Sequence, residues 1–364
     1  MVEKYTPVNI GLIGLGDVSG VHLAAYQSVE AARIVAGADI DKARADMMAQ
    51  QWNFTGYTDY NDMLQNEAID AVVVCVPCRY HREVVEAVAG YGKPILVEKP
   101  LAASLEDGKA MVETCRRQNV LLMYGASYRF LPACIKAKNM IEKNLLGDIS
   151  MMMECFIGVQ GRESYTDMGQ HHYYPGSFGG SDMGMVDHGV HLIDLFRWFL
   201  QSEVVSVYGN GNISCGTPAA EHATLNFANG ATAHLIYNEI TFSSDLESEG
   251  IYKWGGSWEP DGTLVMGGGW ESHPGSIRVH GSSGALRIYH YANHLFHFDK
   301  DGSHPIALQN RPMPGNFGMQ LESFIESVQN DTPLSVPAEE GLKSLKIIEA
   351  IYKSMETQSV VKIT

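Results

Sequence analysis

The 364-residue chain has no long apolar run. Its longest stretches, such as Ala71–Pro77, are far too short to span a bilayer, so no membrane partner is expected. Positive charge is scarce: 26 Lys and Arg stand against 42 Asp and Glu, a formal net charge of −16. That sign repels phosphate backbones and anionic lipid, which argues against nucleic acid as a partner. Cysteine is sparse, six residues scattered over the whole length, which suits reduced thiols in a cytoplasm better than a disulfide framework. The opening M-V-E-K-Y-T-P lacks the apolar segment of a secretory leader, and the expected location is cytoplasmic. Internal repeats and low-complexity tracts are missing too. What remains is 45% hydrophobic and 19% charged, an ordinary globular composition on a chain long for one core, so two domains are expected.

The most informative stretch is Val8–Ser19, V-N-I-G-L-I-G-L-G-D-V-S. A β-branched apolar run breaks into Gly14-Leu15-Gly16-Asp17-Val18-Ser19, which fits G-x-G-x-x-G/A with Ser in the third slot. The first glycine permits a tight strand-to-helix turn. The second lets the backbone approach a pyrophosphate, and the third slot needs a small residue for helix–strand packing. The helix expected from about Val18 to Gln27 aims its N-terminal N–H groups at the phosphates. A second strand, Arg33–Ala38, ends in Asp39, twenty residues past Ser19, where an acid holds the adenosine ribose 2′-OH. Ile40 follows with no arginine beside it, and Lys42 and Arg44 fall on the next helix, so NAD is expected over NADP.

Residues 8–124 alternate strand and helix signals, as a parallel α/β sheet requires. Ligands of such a sheet sit beyond the C-terminal strand ends, where Asp39, Val76-Pro77-Cys78 and Glu98-Lys99-Pro100 fall. After Gly125 the pattern changes to a helix over 132–144 and then alternating runs, at 149–159, 204–209, 223–226, 232–237, 277–280, 285–289 and 295–299. Gly-Ser, Asn-Gly and Asp-Gly turns separate them, which favours a largely antiparallel open sheet. Helices are expected over 187–200, 316–330 and 338–355, and the Gly-, Trp- and Ser-rich stretch 243–275 reads as long loops. The fold class is therefore α/β: a dinucleotide-binding domain over 1–124, then a substrate and oligomerisation domain over 125–364.

Four groups of residues could carry chemistry. Lys99 stands at the mouth of the sheet, within reach of a nicotinamide ring lying near the strand ends; its plain alternative is a solvated surface lysine. Asp187 and His191 are four apart at a helix start, and an Asp that orients a His is the arrangement for taking a proton from an alcohol. The plain alternative makes Asp187 a helix cap and His191 a core histidine. His188 and His191, with His171-His172 upstream, have zinc-ligand spacing but no cysteine ligand nearby, so no metal is expected. Cys75-Val76-Pro77-Cys78 has redox spacing, yet it ends a buried-looking strand and reads as small hydrophobes.

These elements resemble the Gfo/Idh/MocA family, named for glucose–fructose oxidoreductase, inositol dehydrogenase and a rhizopine catabolism protein. The likeness runs through G-L-I-G-L-G-D-V, Cys75–His81, Val97-Glu98-Lys99-Pro100-Leu101, 180–194 and the C-terminal S-V-P-A-E-E-G-L-K-S-L-K-I-I-E-A-I-Y. It implies a Rossmann domain, a C-terminal domain with a large, mostly antiparallel sheet, and NAD(P)-linked oxidation or reduction of a sugar, cyclitol or related hydroxyl. It also implies that Lys99, Asp187 and His191 are the family's Lys, Asp and His, and that His81 and Arg129 lie at the cofactor. His188 occupies a slot more often aliphatic, which suggests an added polar contact with substrate. The slots of Val76 and Cys78 often hold Thr and Asn in the family.

The expected reaction is hydride transfer with His191 as base, oriented by Asp187, and Lys99 binding the oxygen; the roles of Lys99 and His191 could be exchanged. Aromatics suited to a sugar face include Tyr128, Tyr173, Tyr174, Phe178, Trp254, Trp258 and Trp270. No arginine clamp for a small hydroxy acid stands out, which favours a sugar, a cyclitol or a glycoside, with oxidation at C3 one option. Two other classes stay open, an NAD-dependent glycosidase working by transient oxidation and a non-catalytic NAD-binding sensor. An open sheet needs covering, so a homo-oligomer (dimer, tetramer or larger) is expected.

Overall fold

The computed structural model describes residues 6–65, 68–157, 184–211, 220–238, 256–258, 264–266, 277–290, 292–311 and 313–364. The chain divides into two compact units, Met1–Ala126 with Gly255–Gly267 and Pro314–Leu342, and Ser127–Trp254 with Gly268–Met313 and Lys343–Thr364.

In the first unit the chain alternates β1 (Val8–Ile13), α1 (Asp17–Tyr26), β2 (Ala32–Ala38), α2 (Lys42–Trp52), β3 (Thr55–Tyr57), α3 (Tyr60–Leu64), β4 (Ala71–Val74), α4 (His81–Gly90), β5 (Ile95–Glu98), α5 (Leu105–Arg117) and β6 (Leu122–Gly125). The six strands are all parallel, in the order β3-β2-β1-β4-β5-β6. This is the doubly wound order, and it reverses direction at the β1/β4 boundary. Ala71, Val72, Val73 and Val74 are completely buried, as expected for a strand covered on both faces. Capping fixes the helix starts: the Asp41 carboxylate accepts the Ala43 N–H and the Ser104 hydroxyl accepts the Asp107 N–H.

The second unit begins with α6 (Pro132–Glu142) and β7 (Ile149–Ile157), followed by α7 (Val190–Leu200), β8 (Val204–Gly211), β9 (Ala220–Phe227) and β10 (Thr232–Asn238). Two short strands, β11 (Gly256–Trp258) and β12 (Leu264–Met266), pair with each other and belong to the first unit. They lie in the stretch expected to be loops. Next come β13 (Ile277–Gly281), β14 (Ala285–Tyr289), β15 (His294–Asp299) and β16 (Gly302–Pro305). The chain closes with α8 (Gly315–Asn330), α9 (Ala338–Thr357) and β17 (Val361–Lys362). Nine strands form one open sheet, β16-β15-β14-β13-β7-β10-β9-β8-β17. Its pairs are antiparallel except β7 with β10. β16 and β17 were not expected: β16 is exposed at all four positions and β17 has only two residues, so neither leaves an apolar alternation to read.

One face of this sheet is covered by α6, α7 and the last turns of α9. Phe196, Phe199, Leu195, Ile348 and Ile351 pack there against Leu225, Leu235, Val279 and Ile288 of the strands. α8 returns to the first unit and packs on α1. Phe317 meets the His22 ring edge-on at 4.6 Å, and a Cβ on Gly318 would stand 3.2 Å from the Ala25 carbonyl oxygen. Among the described residues no helix is long and apolar enough to cross a membrane.

Candidate active site

At the C-terminal end of β1 the chain turns sharply. Gly14 has φ +90°, and a Cβ there would come within 2.7 Å of the Val76 nitrogen at the end of β4. Only glycine fits. Its N–H is held by the Ala38 carbonyl at 2.9 Å, tying the turn to β2 as well. A Cβ on Gly16 would meet nothing within 4 Å, so open space lies over the residue that precedes α1. Ser19, fully buried in the third slot, donates its hydroxyl to the Gly16 carbonyl at 2.6 Å. Asp17 is exposed and Val18 half-buried on the first turn of α1.

Asp39 follows β2. One carboxylate oxygen accepts the Leu15 N–H at 2.9 Å and the other accepts the Asp41 N–H at 2.9 Å, so the acid is fixed beside the glycine turn. Arg44, although on α2, brings its guanidinium to 3.8 Å from Asp39. Ile40 is 95% exposed.

Val76 is half-buried and Pro77 exposed, while Cys78 is buried in a short 3-10 turn, Cys78–Tyr80. Neither Cys75 nor Cys78 is in a disulfide, and burial pushes the Cys75 thiol well up. His81 is almost fully buried, with Nε2 2.8 Å from the Val76 carbonyl oxygen and Nδ1 3.1 Å from that of Leu101. Desolvation holds its pKa below the usual histidine range. The neutral ring has one N–H, so it donates to one of these two carbonyls, the shorter contact being with Val76 in the loop after β4.

Lys99 is half-buried and its peptide bond to Pro100 is cis. Its N–H is accepted by the Glu98 carboxylate at 3.0 Å. Burial alone would raise the Glu98 pKa, but His22 at 2.8 Å and the Lys99 charge hold it below the usual carboxylate range. His22 in turn lies 2.6 Å from the Tyr26 hydroxyl. His22 was not anticipated; the signal available was one imidazole in the small and apolar run of α1.

In the second unit the helix carrying the other candidates begins earlier than expected. Gly184–Gly189 winds as a π-helix and passes directly into α7. Asp187 therefore sits inside a wide turn and is not the N-cap of α7, a position held by Gly189. This winding needs a partner for a free N–H and room for a close approach. Glu221, on β9, accepts the Met185 N–H at 2.6 Å, and a Cβ on Gly189 would lie 3.1 Å from the Tyr237 ring. Asp187 is half-buried; His188 and His191 are buried.

Tyr128 lies flat on His191, with ring centroids 4.0 Å apart and an interplanar angle of 6°. Its hydroxyl is 3.5 Å from His188 Nδ1. His188 Nε2 lies 3.1 Å from the buried carboxylate of Glu154, which also accepts the Tyr237 hydroxyl at 3.0 Å. Arg129 is clamped by Asp194 through two hydrogen bonds of 2.7 Å, both side chains buried. Glu154, Asp194 and Glu221 were not anticipated as partners. Tyr173, Tyr174, Phe178, Trp254, Trp270 and His171-His172 lie outside the described residues, and Trp258 is on β11.

The donor set of the first unit fits a dinucleotide: a glycine turn with free space over Gly16, a helix N-terminus, and a fixed acid at the next strand end. Residues 8–126 match the model of the Gfo/Idh/MocA oxidoreductase family described as an NAD-binding Rossmann fold. Residues 138–363 match the C-terminal α/β domain of the same family. The chain is 26% identical to D-xylose 1-dehydrogenase (NADP(+)) 2 of Haloferax volcanii, over 97% of this chain and 98% of that protein. It is 31% identical to scyllo-inositol 2-dehydrogenase (NAD(+)) of Bacillus subtilis, over 57% and 58%. Its fold is that of scyllo-inositol dehydrogenase from Lactobacillus casei, crystallised with NAD(H) and scyllo-inositol. The TM-score is 0.76 at 20% identity, covering 98% of this chain and 99% of that one.

Proposed function

The chain belongs to the Gfo/Idh/MocA family of NAD-binding oxidoreductases, and on that premise we propose that it oxidises a secondary hydroxyl of a cyclitol, sugar or glycoside with NAD, or reduces the matching ketone. The observation that carries this reading is the turn at Gly14–Gly16 at the strand-order reversal, where Gly14 lies against the Cys75–Val76 backbone and a Cβ on Gly16 would meet nothing within 4 Å, with Asp39 fixed beside it. Relatives named as inositol and xylose dehydrogenases support the substrate class.

In this reading Gly14, Gly16, Asp17 and Val18 border the pyrophosphate, and Asp39 accepts from the ribose hydroxyls, which disfavours a 2′-phosphate. Ile40, Val76, Pro77, Cys78, His81, Glu98 and Arg129 complete or support the cofactor site. NAD, when bound, supplies the hydride acceptor. His191 takes the hydroxyl proton and Asp187 orients it. Lys99 donates a hydrogen bond to the same oxygen and stabilises the charge that develops there. Tyr128, Tyr173 and His188 contact the substrate, and the enzyme works as a homo-oligomer of the cytoplasm.

The deciding experiment is a panel of cyclitols, aldoses and glycosides with NAD, following NADH absorbance. Turnover of at least one member is the expected result. Product analysis then gives the position oxidised, and no turnover across the panel would refute the assignment.

A further inference from the structure

Glu154 is the acid that packing does not explain. It stands on β7 among Met151, Met152, Met153 and Cys155, and it is 1% exposed. A leucine or methionine would fill the same space without the cost of desolvating a charge. Each of its partners is also a buried polar group: His188 on the π-turn and Tyr237 on β10, with His290 Nε2 further off at 3.9 Å. Such networks matter only when they are satisfied, and this one is arranged around a single carboxylate.

The network leads to the proposed base. His188 turns Nε2 toward Glu154 and Nδ1 toward the Tyr128 hydroxyl. With the Nε2 proton given to the carboxylate, Nδ1 is left to accept from Tyr128. The Tyr128 ring then covers the face of His191 at 4.0 Å, nearly coplanar. We propose that Glu154 is a positioning residue of the active site: through His188 it fixes the Tyr128 ring, and through that ring the orientation of the His191 imidazole. This rests on the assignment of His191 given above. The charge needed is present, because the hydrogen bonds donated by His188 and Tyr237 hold the Glu154 carboxyl below the usual range despite its burial.

The test is Glu154→Gln, which keeps the shape and removes the charge. The expected result is a kcat lowered about tenfold or more, as for loss of a group that orients a catalytic histidine, with KM changed less than about threefold. NAD affinity by fluorescence titration stays within about twofold of wild type, since Glu154 belongs to the other unit from the glycine turn. The imidazole nitrogen-15 signals of both His188 and His191 shift in the variant. That measurement needs no substrate: if the wild type turns over nothing, the functional assignment falls, while shifted His191 signals still support the link. A kcat within twofold of wild type, His191 signals that stay in place, or losses of kcat and NAD affinity in proportion would overturn the proposal. Should Glu154→Gln fail to fold, His188→Gln keeps a donor for the carboxylate and is read by the His191 signals alone, against the same limit, because His188 is itself placed at the substrate.

Discussion

His22 and Glu98, 76 residues apart in sequence, are joined by a hydrogen bond of 2.8 Å with neither side chain more than 7% exposed. The bond ties α1 to the end of β5, next to Lys99. Replacing His22 by Ala takes one donor from a buried carboxylate, leaving it the Lys99 N–H, and should lower stability by about 2–3 kcal/mol, the cost of an unpaired charged oxygen. Urea unfolding checks this. A midpoint equal to that of wild type would mean that Glu98 finds another donor without loss.

Asp39 is held by two backbone N–H groups and faces Arg44 at 3.8 Å. Its replacement by Ala removes the acceptor for the ribose and leaves Arg44 without that neighbouring charge. We expect NAD binding to weaken about tenfold or more, since a hydrogen bond to a charged group contributes about 1.5–3 kcal/mol, and NADP binding to improve relative to it. Fluorescence titration with both dinucleotides is the measurement; unchanged preference would remove Asp39 from its proposed role.

Lys99→Ala and His191→Ala should each reduce turnover on the order of 100-fold, as expected for loss of a proton-transfer or oxygen-stabilising group. Binding of NAD to His191→Ala should stay close to wild type. Near-normal turnover of either variant, measured on the substrate found in the panel, would eliminate that residue as catalytic.

His290 is fully buried, and desolvation depresses its pKa to about 4. The unfolded chain takes up this proton near pH 6.5, well before the folded one does. Stability is therefore unaffected above that value and falls as pH drops from about 6.5 toward 4, by on the order of 2–3 kcal/mol for this one site. His290→Leu should lose less stability than wild type between pH 7 and 4.5 in urea titrations. Parallel losses in the two proteins would show that other groups set the acid limb.

The sequence carries the glycine turn and its surroundings openly because each part rests on local chemistry: β-branched runs, a residue that must be glycine at Gly14, and an acid at a fixed distance. The nine-stranded sheet was legible in the same way where Gly and Asn turns punctuate it. The winding around Asp187 was not, because a 3.6-residue period cannot reveal a π-turn stabilised by Glu221 from a distant strand. His22, Glu154 and Asp194 stood in plain view as lone polar residues in S-G-V-H-L-A-A-Y, M-M-M-E-C-F-I and H-L-I-D-L-F. Apart from Tyr26 beside His22, the partners named above lie 34 to 83 residues away, a pairing that no local pattern records.

The parallel pairing of β7 with β10 has a kinetic side. β7 is the first strand of its sheet to be synthesised, yet its two neighbours are β10 and β13, which end at Asn238 and Gly281. During translation the segment Met151-Met152-Met153 must wait for more than a hundred further residues before both its edges are paired. Late closure of this sort slows folding and lengthens the interval in which an apolar strand edge is open to wrong partners.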